Sequence, residues 1–409
     1  MTALLDSLVT GVPDNRVVAG DRVMTWSELA TERVAGSAPR AVLDDGHLAA
    51  LHAVAAHRRD HDELLVAAAG RVDADLRDSL RLDGFDLVTP AGVVERSAER
   101  APEPGRVWIL TSGSTGRPKR VPHTLASLTT VGGDQPPRVW LCPYSPGTYA
   151  WWQVMTLSLV IPGQDVVTIA PAELDGWPTI AAKHGVTAAS GTPTFWRQTL
   201  LHSADALRDL PLAQVTLGGE PVDQAILDRL AETLPTARIS WIYASSEVGA
   251  AIAVHDGRAG FPVAWLDRET PGRPTLSVDD GELVIVSPHA GDGFGGWVRT
   301  GDRVEIADGR VLITGRRDSD EINVGGSKVS AGAVRNVLLS HPNVRWVRVY
   351  GRNAPLVGRI VAADIVTDEP IAETDLIRWA AGRLSEYALP RRIRLLDEIP
   401  MKETLKSDV

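Results

Sequence analysis

Residues 111–119 bring hydroxyls, glycines and a lysine together in one short stretch: Thr111, Ser112, Gly113, Ser114, Thr115, Gly116, Arg117, Pro118 and Lys119. They follow an apolar run, residues 107–110, that reads as a buried strand. A strand feeding such a turn can hold phosphate. Glycines let the backbone come close, amides and hydroxyls donate to phosphate oxygens, and the lysine adds a point charge. The pattern is not G-x-x-x-x-G-K-[ST], because Lys119 stands three residues after Gly116 and is followed by Arg120. A solvated turn is the plain alternative, since the same residue types dominate turns. The ordered string ending in Pro-Lys favours phosphate.

Further candidates follow strand-like runs. Gly218, Gly219 and Glu220 come after residues 214–217. Paired glycines at a strand end admit a flat ligand against backbone, or simply make a tight strand–helix turn. Tyr243, Ala244, Ser245, Ser246 and Glu247 come after residues 238–242. They offer a ring face and a carboxylate for a hard cation, or else a serine–glutamate helix cap. Asp302, in Thr300-Gly301-Asp302, can accept two hydroxyl hydrogen bonds or serve as a turn residue. Arg316 and Asp318 can bind a nucleotide and mark a junction, or form a structural ion pair. Lys406, read alone, is a solvated tail lysine.

Taken in order along the chain, these motifs resemble those of the acyl-adenylate-forming enzymes: acyl-CoA synthetases, aryl-acid ligases, adenylation domains of peptide synthetases, and luciferase. The resemblance covers roughly residues 107–406 and rests on joint occurrence more than on any one motif after the first. It implies ATP and Mg²⁺ as cofactors and a small carboxylic acid as substrate. Thr111–Gly116 and Lys119 would cradle the departing pyrophosphate. Gly218, Gly219, Glu220 and Tyr243–Ser245 would surround adenine. Ser246 would contact phosphate, Glu247 would ligate Mg²⁺, Asp302 would hold the ribose hydroxyls, and Arg316 would reach ribose or phosphate. Asp318 would be the hinge of a rotating C-terminal domain. Lys406 would bridge the substrate carboxylate and the α-phosphate. The loop with Gly325, Gly326 and Lys328 would admit the thiol of CoA or of a phosphopantetheine on a carrier protein.

The chain departs from the family pattern at several positions. Ala244 replaces a glycine, and Leu405 replaces the glycine before the lysine. Residues 331–335 read Ala-Gly-Ala-Val-Arg in place of Pro-x-Glu-(Val/Ile)-Glu. The last change leaves the acceptor open between a thiol and a nitrogen nucleophile. No aspartate for an amino-acid amine stands in residues 143–153. That stretch instead offers Tyr144, Tyr149, Trp151 and Trp152, with Ser145 at a position that is often histidine or aromatic. With Gly218 these residues would line the acid pocket. Phe195 and Trp196 extend the aromatic set. Each aromatic, taken singly, is also a good core residue. The reading is an aryl or arylpropenoyl acid, with a fatty acid as the alternative.

Composition sets the bounds. At 409 residues the chain exceeds one core, and its hydrophobic and charged fractions of 44% and 23% are those of a globular enzyme. A net charge of −10 argues against a nucleic-acid surface. No apolar run reaches membrane-span length and the N-terminus lacks a signal pattern. With Cys142 as the single cysteine, the expectation is a cytoplasmic monomer or homodimer. Five of the 42 basic residues are lysines, and three of those five, Lys119, Lys328 and Lys406, fall in the motifs.

The elements that must position these residues read as α/β. Residues 1–100 read as a helical front part, shorter than the family resembled usually has, with a helix over 48–56 and a helix start with Thr25 as N-cap and Glu28 three residues on. From 107 to 316, strands at 139–142, 165–169, 214–217 and 238–242 alternate with helices at 177–185 and 221–234, giving a mainly parallel sheet. Residues 282–286 and 303–314 form a small antiparallel unit turning at Asp308-Gly309. The large N-terminal domain spans 1–316. A small α+β domain, 317–409, follows, with helices at 329–339 and 374–384 and strands at 344–350 and 360–365; the resemblance implies that it moves on a hinge.

Overall fold

The computed structural model describes residues 14–111, 118–316, 321–324, 327–354, 358–402 and 404–407. Two large sheets organise the N-terminal part. The first has eight strands in the order Gly249–Val254, Arg238–Ser245, Gln214–Gly218, Ala188–Gly191, Arg138–Cys142, Gln164–Thr168, Arg16–Ala19 and Arg22–Thr25. Its six inner strands are parallel and the two edges antiparallel. The second sheet has six strands in the order Gly92–Val94, Asp86–Thr89, Arg40–Leu43, Leu64–Ala67, Val107–Thr111 and Lys119–His123, again parallel inside and antiparallel at the edges. The parallel strands are short apolar runs buried on both faces, as a sheet covered by helices requires.

The front part is therefore not only helical, as its alanine and arginine content suggests. Leu64-Leu-Val-Ala67 is buried at all four positions and pairs in parallel with Arg40–Leu43. Such four-residue runs do not declare strand or helix by periodicity. The expected helix at 48–56 is longer, His47–Asp60. The Thr25 start is a reciprocal capping box: Glu28 N donates to Thr25 Oγ1 at 3.2 Å and Thr25 N to Glu28 Oε2 at 2.8 Å. The helices Trp177–His184, Gln224–Thr233 and Ala331–Leu339 begin or end at caps that shift the predicted bounds, namely Gly185 at φ 66° and the side chains of Asp223 and Ser330.

Helices His47–Asp60 and Tyr149–Val160 pack against the two sheets, the first on the six-stranded sheet and the second on the eight-stranded one. They are joined where Trp151 Nε1 donates to His47 Nδ1 at 3.1 Å. That bond makes His47 Nδ1 an acceptor, so Nε2 carries the proton and donates to Ile169 O at 3.0 Å. Burial pushes the His47 imidazolium down to about 4, which keeps the ring neutral. The turn before Tyr149–Val160 runs over the second sheet at Gly147. A Cβ there, at φ +76°, would lie 1.8 Å from Val66 O, so only glycine fits.

Glu63 holds the roots of two neighbouring strands. Its wholly buried carboxylate accepts from Arg100 Nη1 at 2.7 Å and Nη2 at 2.5 Å, Glu103 N at 2.7 Å and Trp108 Nε1 at 2.7 Å. Glu63→Ala should cost about 3 kcal/mol, because it strands Arg100 and two further donors. A denaturant titration checks this; an unchanged midpoint would refute it.

The antiparallel unit has five strands in the order Phe261–Pro262, Arg310–Arg316, Val298–Ala307, Glu282–Val286 and Thr275–Asp279. Its Asp308-Gly309 turn has φ 49° and 72°, the two left-handed residues of a tight hairpin closed by Ala307 and Arg310. Asp280-Gly281 repeats the device at φ 50° and 70°.

The C-terminal module comprises the hairpin Glu321–Val324 and Ser327–Ser330, the sheet Val344–Ala354, Gly358–Thr367 and Arg392–Leu395, and helices Ala331–Leu339 and Glu373–Ala381. It has its own core around Val334, Leu338, Val361, Ile365 and Leu376. It docks on the N-terminal helix Pro193–His202: Arg197 Nη1 donates to Arg345 O at 2.9 Å, Gln198 Nε2 donates to Ile399 O at 3.1 Å, and Leu201 packs on Trp346, Val366 and Ile399. The boundary at 316/317 adjoins residues 317–320, and the hinge candidate Asp318 lies with them outside the described residues.

Candidate active site

The phosphate-type stretch is flanked by two paired strands. Strand Val107–Thr111 pairs antiparallel with Lys119–His123, with Thr111 opposite Lys119. Ser112, Gly113, Ser114, Thr115 and Gly116 lie outside the described residues; Thr111 and the exposed Lys119 are the posts on either side of them. Arg71 follows the adjacent parallel strand, Leu64–Ala67, and donates from Nη2 to Leu110 O at 2.9 Å. No motif in the sequence marks this arginine.

The diglycine lies at the C-terminal end of Gln214–Gly218 in the parallel sheet, where such sheets bind ligands. Gly219 has φ +85°, and a Cβ on it would come within 3.1 Å of Lys406 Cε and 3.5 Å of Nζ. The C-terminal tail thus places Lys406 directly over the diglycine. Lys406 is crowded by protein yet keeps surface open to water. Desolvation comes first in holding its ammonium below the usual lysine value, with Glu220 opposing and Arg316 and Arg71 assisting. Glu220 accepts from Thr194 N at 2.9 Å, Thr194 Oγ1 at 3.0 Å and Ser407 N at 2.8 Å. Its carboxylate joins the helix Pro193–His202 to the tail.

Tyr243, Asp302 and Arg316 meet across two sheets. Tyr243 donates its hydroxyl to Asp302 Oδ2 at 2.5 Å, and Arg316 Nε lies 3.0 Å from Asp302 Oδ1. Asp302 and Arg316 are cross-strand partners in the antiparallel unit. Burial raises the Asp302 carboxyl above the usual range, partly countered by Arg316 and by the Tyr243 hydroxyl, while Glu282 and Glu247 add to the rise. Burial, then the Asp302 charge, pushes the Tyr243 phenol well up.

The helix-cap alternative for Ser246 and Glu247 is ruled out. Strand Arg238–Ser245 runs through Tyr243, Ala244 and Ser245, then returns as Gly249–Val254, with a bulge between Tyr243 and Ala244. The bulge turns Ser246 and Glu247 into the hairpin tip. Ser246 O accepts from His123 Nε2 at 2.7 Å, and Glu247 O accepts from Gly291 N at 3.0 Å. His123, at the far end of the strand Lys119–His123, therefore buttresses this tip. Its spacing from Lys119 in the sequence gave no such signal.

Among the described residues no group of three or more His, Cys, Asp or Glu could chelate a cation alone. Glu247 with neighbouring serine hydroxyls suits Mg²⁺, which binds through one or two carboxylates and takes its other ligands from phosphate and water.

The aromatic candidates all belong to the main core: Trp151 and Trp152 are 0% exposed, and Phe195, Trp196, Tyr144 and Tyr149 join them. Tyr144 is buried, and its hydroxyl pairs with Ser190 Oγ at 3.0 Å; Ser145 and Tyr149 are also buried. Lys328 is exposed and lies 3.1 Å from Glu321 Oε1 across its hairpin. Gly325 and Gly326 are outside the described residues.

The chain is similar to known proteins over most of its length. The AMP-binding enzyme family matches residues 19–302, and the AMP-binding enzyme C-terminal domain matches 333–406. The 4-chlorobenzoate–CoA ligase of Arthrobacter sp is 28% identical over 371 residues, covering 81% of this chain and 68% of that enzyme. A 2-succinylbenzoate–CoA ligase of Bacillus cereus is 24% identical, covering 73% and 67%. A mitochondrial malonate–CoA ligase of Mus musculus is 33% identical, but over only 34% of this chain and 26% of its own length. Two solved structures share the fold. The anthranilate CoA ligase AuaEII, in complex with anthranoyl-AMP, gives a TM-score of 0.74 at 18% identity, covering 99% of this chain and 95% of that one. The amide bond synthetase McbA from Marinactinospora thermotolerans gives 0.72 at 20% identity, covering 99% and 97%. No helix among the described residues is long and apolar enough to cross a membrane. With both the large and the C-terminal domain matched in order, the chain belongs to the AMP-binding enzyme family.

Proposed function

We propose that this chain activates a carboxylic acid with ATP as an acyl-adenylate, releases pyrophosphate, and passes the acyl group to the thiol of CoA or of a carrier protein. The placement of Lys406 over Gly219, among Glu220, Arg316 and Arg71, carries this reading. In the first step a carboxylate oxygen forms a bond to the α-phosphorus and the bond to the β-phosphate oxygen breaks. Two anions must meet, so cations fixed beforehand lower the barrier most. Lys406 supplies one at the approaching carboxylate and α-phosphate, and Arg316 and Arg71 add to the field. Asp302 holds the ribose, Tyr243 and the diglycine flank adenine, and Thr111, Lys119 and the residues between them receive the pyrophosphate. Mg²⁺ on Glu247 would neutralise phosphate charge. In the second step the thiol sulfur attacks the acyl carbon and AMP leaves.

An aryl or arylpropenoyl acid fits best, because two relatives are named as ligases of aromatic acids. Of the expected lining residues Tyr144, Ser145, Tyr149, Trp152 and Gly218, the three aromatics are packed in the core, and the acid would lie at the strand end that Gly218 closes. A nitrogen acceptor is the second reading. Residues 331–335 depart from the thiol-ligase pattern, and Arg335 is buried in the C-terminal module where that pattern has an acid. A solved structure of the same fold is an amide bond synthetase.

Pyrophosphate release measured across a panel of aryl, arylpropenoyl and fatty acids tests the first step. No acid-dependent release, with ATP still bound, would sink the reading. Mass analysis of products with CoA, carrier protein or amine then assigns the acceptor.

A pH profile adds a second check. The lowered Lys406 pKa means its ammonium is lost earlier as pH rises, so release should decline below the ~10.4 of an ordinary lysine. Lys406→Arg, which stays charged, should remove that alkaline limb. A limb unchanged in the arginine variant would assign it to another group.

A further inference from the structure

Lys406 is exposed, but both of its neighbours are buried: Leu405 is 1% exposed and Ser407 8%. Leu405 lies in the C-terminal tail, yet its side chain packs in the main N-terminal core, where it is the one member beyond Val311 among the described residues. Its backbone is at φ 59°, a left-handed conformation that leucine adopts rarely and glycine freely. Strain of this kind persists only where the surroundings over-determine it. Here they do. Leu405 O accepts from Thr192 Oγ1, Leu405 N donates to Lys402 O at 2.8 Å, and Lys402 N donates to Lys406 O at 2.8 Å. Glycine would relieve the strain but leave nothing to bury.

Ser407 is held on the other side. Its amide donates to Glu220 Oε1 at 2.8 Å, its hydroxyl meets Thr194 Oγ1 at 2.8 Å, and Trp346 Nε1 donates to that hydroxyl at 2.9 Å. Thr192 and Thr194 both sit at the start of Pro193–His202, the N-terminal helix on which the C-terminal module docks. Trp346 belongs to the module itself. One helix end therefore grips the tail on both sides of the lysine.

We propose that Leu405 and Ser407 are positioning residues for Lys406. They form an apolar plug and a polar clasp that seat its ammonium over Gly219 for the adenylation step. The proposal rests on the reading of Lys406 above.

Hydrogen exchange on the full chain tests it without any substrate. The amides of Lys402, Leu405 and Ser407 should be protected in the unmodified protein. Leu405→Gly and Ser407→Ala should each lower that protection at least ~10-fold while the core strand Gln214–Gly218 keeps its own. A tail that is unprotected to begin with, or unaltered in both variants, overturns the proposal.

Kinetics then separate positioning from mere stability, using the acid that releases pyrophosphate fastest. Both variants should lower kcat for acid-dependent pyrophosphate exchange about tenfold with KM for ATP little changed. Acyl transfer from prepared acyl-adenylate to CoA or amine should hold. Leu405→Met and Ser407→Thr, which keep the plug and the hydroxyl, should restore exchange. Equal loss of both half-reactions, or full exchange in Leu405→Gly, overturns the proposal. If Lys406→Ala leaves exchange intact, the reading of Lys406 fails instead.

Discussion

Replacing Lys406 with alanine should lower acid-dependent pyrophosphate release by about 10²–10³-fold, the usual effect of deleting one preorganised charge at a reacting centre. The ammonium is fixed by the tail, stands over the end of a parallel strand, and shares the cleft with Arg316 and Arg71. Those two arginines would remain, which is why the loss should fall short of complete. Binding of ATP should change little, since the lysine acts where the carboxylate arrives rather than where the ribose rests. Isotope exchange between pyrophosphate and ATP, with and without acid, measures the step directly. An exchange rate within a factor of two of the unmodified protein would remove Lys406 from the chemistry.

Asp302→Ala should raise KM for ATP by about 10–100-fold, because hydrogen bonds to a charged acceptor are worth about 1.5–3 kcal/mol each. The carboxylate also anchors the Tyr243 hydroxyl and Arg316, so its loss would loosen all three groups at once. The sugar supplies an internal control. The unmodified protein should prefer ATP over 2′-deoxy-ATP, and the variant should treat the two nearly alike. If discrimination survives in Asp302→Ala, the ribose is held elsewhere.

What could be read from the sequence was chemistry tied to strand ends. Gly218, Tyr243 and Asp302 each close or extend a run whose apolar pattern was plain, and the Asp308-Gly309 turn followed from its residue types alone. The remainder depended on partners distant in sequence. Val107–Thr111 and Lys119–His123 form a ladder across the phosphate turn, but Lys-Arg-Val-Pro-His carries little strand signal by itself. Ser246-Glu247 reads as a helix cap until the return strand Gly249–Val254 is seen. In Ser190-Gly-Thr-Pro-Thr-Phe-Trp196 the aromatics stand out, yet the two threonines face the tail and the rings fill the core. Leu405 looked like a simple loss of glycine, and its burial could not be inferred without the fold.

The hydrogen bond between Tyr243 and Asp302 also describes the protein at rest. A buried carboxylate with no donor is costly, and here the phenol supplies one, with the Arg316 guanidinium on the other oxygen. On the proposed reading, nucleotide entry at Asp302 would exchange one hydroxyl for another, and affinity there would reflect the difference between two partners. The side chain that would serve as placeholder is carried on the strand proposed to flank adenine, so the same residue would yield the acceptor and remain in contact with the guest.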